Sequence, residues 1–598
     1  MEVNRSNFQD LLPFIETCID ECDFIALDTE FTGINSNETP TIFDTLPDYY
    51  KKLKNGSSEF LLLQLGLVTF KYDVNTNKFK QSAFNFYIFP IPLPGLNRNV
   101  NFLCQSQSIS FLASTGFDFN KVFHGGISYL TKAEEETYKK QLDDKRKKRA
   151  DNQNNDYNIL NLKEQDQIEV ESISKRIEEF LKSAEPNEEL VLGKYNSYLR
   201  RVIYNNVAEK FKGKVGFDIK SSLEESNSMC TVVAYLRGNK QQQQERENEK
   251  QLEEDKNLQQ AVGVSYVIRR ISESGKLVVG HNMFLDIMHI TNHFLQKIPN
   301  DYYSFKDIIS VCFPNILDTK HMASCSPFDE KIRFSTLNHL VSTFENPEID
   351  VVSGGKGYTV SADKGHEAAY DAFITGVSFL SMLKFIDCVF PLDYSVLDPY
   401  LNKIFVFKLT DIPYMNIGGA DLKPKRDHIL HASFSSNWKT KDIETFFHGY
   451  GRISVVWINE SSAYVCLPNE ATAKKALKGL SKSKQCKLLS FFKYEALMNA
   501  AKPLPIKESL KEKKEFPSYP EIPASKIAKL LGCASSPEHD SDEEIEIENE
   551  KKPLQILTCS KVSPAVKRHI EEDEESFADE EEVVPSKKKI FNEDNTWE

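Results

Sequence analysis

Two carboxylates stand two residues apart in an otherwise apolar run, Phe24-Ile-Ala-Leu-Asp-Thr-Glu-Phe31. A run this short and apolar predicts a buried strand. Side chains alternate between the faces of a strand, so Asp28 and Glu30 share one face and converge on one point. Taken alone, the pair also fits an edge strand with a wetted polar face. Further strands are predicted at Phe60–Phe70 and Phe84–Phe89, and Asp10 is a candidate N-cap for a first helix with Pro13 in its first turn. The α/β pattern then breaks off and resumes at Ala261, running to about Phe390. One α/β domain is thus written in two pieces, 1–150 and 255–400, around an insertion.

The insertion opens on a charged, Asn-rich stretch, in which Lys145-Arg-Lys-Lys-Arg149 and Asn152–Asn158 read as a solvated helix end and a linker. In 167–238, Ile168, Val170, Ile173, Ile177, Phe180 and Leu181 recur at helical spacing. A second helix over about Tyr195–Phe211 and two strand-like stretches, near 214–220 and 229–236, complete that unit. Gln241–Lys250 is of low complexity and predicts a helical linker. A further unit, 428–497, has the order strand, helix, strand, strand, helix, strand. From 501 to 598 the chain is rich in Lys, Pro and Glu. Its stretch Ser535–Glu550 holds eight acidic residues and no basic one, so this tail is expected to be disordered.

Composition narrows the function classes. Hydrophobic residues make up 40% of the 598, enough for packed cores, which excludes a wholly disordered chain. No apolar run reaches the roughly 18 residues of a membrane span, and the start of the chain has no apolar signal region, so no membrane partner and no secretion are expected. Eleven cysteines, scattered and without a Cys-x-x-Cys pair, predict free thiols in a reducing compartment. The net charge of −14 is concentrated in the tail: residues 501–598 carry 15 basic and 24 acidic side chains, a net of −9. A nucleic-acid site in the remainder must therefore be a local groove rather than a global field.

Two more acidic stretches change the weight of the first. Gly280-His-Asn-Met-Phe-Leu-Asp286 joins a predicted strand to a predicted helix over Met283–Gln296, and Gly365-His-Glu-Ala-Ala-Tyr-Asp371 opens a late helix with His366 five residues before Asp371. In this order the three stretches resemble the exonuclease motifs of the DEDD superfamily, His-containing branch. The match is fuller still to the poly(A)-specific ribonucleases, and it runs from Arg5 to about Tyr494. It includes Asp28-Thr-Glu-Phe-Thr-Gly-Ile34, Phe60-Leu-Leu-Leu-Gln-Leu-Gly66, Phe117-Asp-Phe-Asn-Lys-Val-Phe123, Leu317-Asp-Thr-Lys320, Asp411-Ile-Pro-Tyr-Met-Asn416 and Lys423-Pro-Lys-Arg-Asp-His428. The implied fold class is α/β. An RNase H-like exonuclease domain is interrupted by a small α/β R-x-x-x-H-like module and followed by an RRM-like domain and the disordered acidic tail.

The resemblance implies a 3′→5′ exoribonuclease that shortens poly(A) RNA and releases 5′-AMP. It implies two divalent ions, Mg²⁺, with Asp28, Glu30 and Asp371 on one and Asp28 and Asp286 on the other. Hard carboxylate oxygens suit Mg²⁺, and two such ions offset charge on the attacking and leaving oxygens. His366 is implied as general base, and imidazole, with an ordinary pKa near 6.5, suits that task near neutrality. His281 and Asn282 are expected to fix the strand-to-helix turn. Phe31 and Ile34 are implied to stack or wedge terminal bases, Lys320 to face the RNA backbone, and Ile109 and Phe111 to lie at a homodimer contact beside the active site.

The accessory units are less typical. The R-x-x-x-H signature reads here as Arg200-x-x-x-Tyr204, without His. In the 428–497 unit the usual stacking positions fall on Ser462 and Leu467, which cannot hold a base by ring stacking. Trp457, at a strand end, matches the family's mRNA cap-binding tryptophan, and an indole there suits the cationic 7-methylguanosine cap. Two other readings stay open on the sequence: an exonuclease trimming other RNA 3′ ends, and a catalytically silent cap- or RNA-binding scaffold. Lys567-Arg568 and Lys587-Lys-Lys589 suggest a split nuclear import signal, hence an expected location in nucleus and cytoplasm.

Overall fold

A computed structural model describes residues 1–501 except 35–37, 92–99, 152–163, 184–187, 208–209, 212–213, 221–229, 362–364, 392 and 410. The tail with its acidic run and both basic clusters, and the Asn-rich 152–158, lie outside the described residues. In chain order the strands are β1 (Glu2–Val3), β2 (Phe24–Phe31), β3 (Leu62–Asp73), β4 (Lys78–Tyr87), β5 (Glu189–Tyr195), β6 (Val215–Lys220), β7 (Cys230–Leu236), β8 (Leu277–Gly280), β9 (Ile316–Asp318), β10 (Ile349–Val351), β11 (Lys403–Phe405), β12 (Tyr414–Asn416), β13 (Ile429–Phe434), β14 (Ser454–Asn459), β15 (Ser462–Cys466) and β16 (Cys486–Ser490). They fall into two compact units, one within residues 1–424 and one beginning at Lys425. Among the described residues no helix is long and apolar enough to cross a membrane, and the cysteines are free.

The larger unit is built on a sheet of order β1-β4-β3-β2-β8-β9, with β10 along β4. β2 is therefore central rather than an edge: it runs antiparallel to β3 and parallel to β8. Burial on both faces explains why its residues read as nearly continuous hydrophobics. Ile25, Leu27 and Phe31 pack on one face with the helices Phe8–Glu21, Leu46–Glu59, Val264–Ser274 and Phe284–Ile290. Phe24 and Ala26 pack on the other face with the helix Ala368–Phe385, which is buried along almost its whole length. That helix lies close because Gly376 offers no side chain: a Cβ there would meet the Phe70 ring at 2.2 Å.

Local details depart from the sequence reading. The first helix starts earlier, with Asn7 as N-cap, so Asp10 sits in the first turn and Pro13 inside the helix. Asp10 still favours the helix there, since negative charge suits the N-terminal end of the dipole. The helix carrying Asp286 is regular only over Phe284–Ile290 and continues as a π-turn over Thr291–Leu295.

In the insertion, helices Lys132–Asp151 and Lys240–Val262 pair through Arg146–Asp255 at 2.7 Å, Arg149–Glu254 at 2.6 Å and Arg149–Glu247 at 2.9 Å. Arg146 and Arg149 of the basic run are thus partnered, not merely solvated, and Gln241–Lys250 is part of this stalk. Helix Glu164–Ser183 packs on a sheet of order β5-β7-β6. Tyr195 ends β5 instead of starting a helix, because Asn196 takes the N-cap and accepts from Leu199 N–H at 2.9 Å. Arg200 donates to the Tyr195 carbonyl at 3.3 Å, and the Tyr204 ring meets Phe217 edge-on, so the signature residues are engaged within their own module.

The second unit has a sheet of order β14-β15-β13-β16, with helices Thr440–Phe446 and Glu470–Leu480 on one face. Ser462 and Leu467 do not mark its stacking surface. Leu467 is core on the helix side, and the two residues are an odd number apart, so they cannot share a strand face. The aromatic of β15 on the opposite face is Tyr464, directly across from His431 on β13. Helix Phe491–Ala501 covers both: the Tyr494 ring stacks on His431 at 3.5 Å, and Tyr464 Oη donates to Glu495 at 2.7 Å.

Candidate active site

The acidic cleft forms where β2, β8 and the start of helix Ala368–Phe385 meet. Asp28 and Glu30 face that helix from β2, paired across to Gly66 and Gln64 of β3. His366 stands just before the helix at φ +68°, a left-handed conformation uncommon for a non-glycine residue and frequent at functional sites. Its backbone N–H donates to Asp371 Oδ2 at 2.9 Å. Potential ligand atoms of Glu30, His366 and Asp371 lie within 4.8 Å of one another. Asp286 enters from the opposite face of β2, where the Thr29 hydroxyl donates to its Oδ1. The cleft is lined by Asp28, Glu30, Asp286, His366 and Asp371 together.

Burial first, then the charges of Asp286, Asp371 and Glu30, pushes the Asp28 carboxyl far up. Burial, then Asp371 and Asp286, does the same to Glu30. Burial raises Asp286 to about 7, against the pull of the Thr29 hydroxyl. Each of these shifts means that the carboxyl holds its proton more tightly, because burial and the neighbouring carboxylates disfavour its charged form. Clustered carboxylate oxygens with one imidazole fit a hard divalent cation, and such a cation must displace protons to bind.

The turn before Asp286 hangs on a residue that motif reading did not single out. Asp318, buried at the end of β9, accepts four backbone N–H groups: Asn282 at 2.9 Å, Met283 at 3.2 Å, Lys320 at 2.9 Å and Phe405 at 3.0 Å. Asn282 can hold its φ of +57° because of this clasp. His281 Nδ1 is 2.9 Å from Thr319 Oγ1, and burial, then the Lys320 charge, holds the His281 ring neutral. His281 and Asn282 thus fix the turn, and both also line the cleft. A carboxylate directly after a buried strand was the available signal for Asp318.

The other expected site residues scatter. Ile34 lines the cleft and its N–H donates to Gln105 Oε1 at 2.7 Å. The Phe111 ring meets the His366 ring edge-on at 4.6 Å within the same chain, while Ile109 is half-buried on the same short helix, Ser106–Ser114. Phe31 is a core residue, 1% exposed, with its ring stacked on His289 at 4.0 Å; the strand register shifts between Glu30 and Phe31, and Phe31 also borders the cleft. Lys320 is likewise buried, with Nζ 5.5 Å from the Phe405 ring, and it is not part of the cleft lining. In the second unit Trp457 is 39% exposed, Nε1–H donates to Thr440 Oγ1 at 3.1 Å, and the ring stands edge-on to Phe434.

Comparison with known proteins places this geometry. Residues 3–379 match the CAF1 family ribonuclease domain, and residues 419–497 match an RNA binding domain. The chain is 38% identical to poly(A)-specific ribonuclease PARN of Xenopus laevis over 490 residues, covering 78% of this chain and 77% of that one. It is 36% identical to the Homo sapiens protein of that name over 517 residues, covering 83% and 80%. The pre-piRNA 3′-exonuclease trimmer of Bombyx mori is more distant, 24% identical over 519 residues, covering 83% and 94%. The chain belongs to the CAF1 family of ribonucleases and, within it, to the poly(A)-specific 3′→5′ exoribonucleases.

Proposed function

We propose that Asp28, Glu30, Asp286 and Asp371 hold two Mg²⁺ ions, and that His366 takes the proton of the attacking water as each 5′-AMP leaves the RNA end. The carrying observation is the convergence of Glu30, His366 and Asp371 within 4.8 Å beside the half-buried Asp28 and the buried Asp286. Divalent ions held there supply the positive charge that the attacking and leaving oxygens need. The protein supplies placement. His366 is held through its backbone bond to Asp371 and by the edge of Phe111, so base and ligand move as one piece. Ile34 and Phe31, both bordering the cleft, offer apolar surface to the terminal bases. Incubating the protein with Mg²⁺ and end-labelled RNAs ending in A, U, C or G tests the reading. A one-nucleotide ladder, fastest on A and abolished by chelator, is expected; chelator-resistant or internal cleavage contradicts it.

Trp457 is proposed to stack on the 7-methylguanosine cap. Support comes from its exposed indole and from the hydrogen bond that fixes its ring plane, which leaves a face for a cationic purine. Ile109 and Phe111 are proposed to lie near a homodimer contact. The basic clusters of the tail are proposed to divide the protein between nucleus and cytoplasm.

A further inference from the structure

Helix Ala368–Phe385 begins without a cap of its own. Glu367, its N-cap residue, makes no side-chain bond to the helix, and its carboxylate accepts the Tyr358 hydroxyl instead. The first four N–H groups of a helix lack partners within it. Here two are met from the sheet. Ala368 N–H donates to Gln64 Oε1 at 2.9 Å, and Ala369 N–H donates to Asn85 Oδ1 at 3.2 Å. The next two, from Tyr370 and Asp371, reach the Glu367 carbonyl at 2.7 and 3.0 Å.

Both amides are buried, and both stand on the ladder that carries the catalytic acids. Gln64 is the direct cross-strand neighbour of Glu30. Asp28, Gly66 and Asn85 form one row across β2, β3 and β4. The helix is therefore pinned to the rows of Asp28 and Glu30 within three residues of Asp371. Asn85 Nδ2 is buried with no hydrogen-bond partner among the described residues. Such an orphan costs stability, so packing alone does not account for an amide here; the oxygen is what the fold uses.

We infer that Gln64 and Asn85 are positioning residues: as surrogate caps they set where His366 and Asp371 stand against Asp28 and Glu30, and thereby set the affinity for metal. The inference rests on the metal reading above. Partners that orient ligands usually change metal affinity by about 10–100-fold when removed.

The test uses the full chain in wild type, Gln64→Met, Asn85→Ser and Val377→Ala. Val377 is a core residue further along the same helix and serves as a control for general destabilisation. Mn²⁺ binding is measured by calorimetry, half-maximal Mg²⁺ by RNA trimming, and Tm by melting. Gln64→Met and Asn85→Ser should weaken Mn²⁺ binding and raise the Mg²⁺ midpoint by about tenfold. Val377→Ala should lower Tm and leave both metal constants unchanged. If one cap variant fails to fold, the other carries the test. Metal constants in the cap variants equal to those of wild type or of Val377→Ala overturn the inference. Wild type that binds no Mn²⁺ overturns the metal reading, and the inference with it.

Discussion

Substituting Gly66 by alanine should inactivate the enzyme by a route that touches no catalytic group. A methyl at this position would lie 2.0 Å from the Ala368 carbonyl oxygen, 2.1 Å from its carbon and 2.4 Å from Ala369 N, where real Cβ atoms keep beyond 3.0 Å. All three atoms are helix backbone, so no side chain can swing aside. The start of helix Ala368–Phe385 must retreat by about 1 Å, and His366 and Asp371 move with it. Misplacement of that size costs about 10²-fold in rate. Overpacking of a core typically costs about 1–3 kcal/mol of stability, which a protein of this size tolerates while remaining folded. Turnover of A-tailed RNA at saturating Mg²⁺, followed beside Tm, reads both effects. Near-normal turnover in a folded Gly66→Ala protein would refute the claim that this contact registers the helix on the sheet.

Other expectations follow from the same geometry. His366→Ala should lower turnover by roughly 10²–10⁴-fold, the usual contribution of a general base, with RNA affinity retained; gel-shift binding in Ca²⁺ separates the two. Trp457→Ala should weaken binding of 7-methylguanosine nucleotide by roughly 30-fold, corresponding to about 2 kcal/mol for a desolvated cation–π contact, and spare hydrolysis of uncapped RNA. Equal tryptophan quenching by methylated and unmethylated guanosine nucleotides would remove that reading. Glu254 in the insertion stalk is burdened by burial, yet Arg149 and Arg146 hold its carboxyl down at about 2 from an ordinary 4.5. Its stabilising contribution is thus full above 4.5 and fades as pH falls toward 2. Hydrogen exchange in Lys132–Asp151 and Lys240–Val262 should quicken across that window, and Glu254→Gln should flatten the dependence.

Much of the acidic cleft was legible in the sequence because its residue types otherwise avoid apolar strands. Strand alternation put Asp28 and Glu30 on one face, and the motif resemblance added Asp286, His366 and Asp371, which line the same cleft. What escaped was whatever depends on contacts between distant segments. Gln64, Gly66 and Asn85 read as unremarkable strand residues until the helix lies across them. The resemblance implied that Phe31 stacks on terminal bases; it borders the cleft, with its ring 1% exposed and stacked on His289. Around Lys320 the Asp318 clasp fixes the backbone, and Nζ lies 5.5 Å from the Phe405 ring. Tyr195 was expected to open a helix, whereas it ends β5 and Asn196 caps the helix that follows. The pairing of Arg146 and Arg149 with a helix about a hundred residues later carries no local signal at all.

The central claim, that the buried acids are a divalent-metal site, is tested most directly by counting metal. Calorimetric titration of the full chain with Mn²⁺ should show two ions per chain in wild type. Binding should be weakened or lost in Asp28→Asn and Asp371→Asn proteins that keep the wild-type Tm, together with loss of RNA trimming. A folded Asp371→Asn protein that binds Mn²⁺ as wild type does, or trimming that persists in excess chelator, would contradict the account.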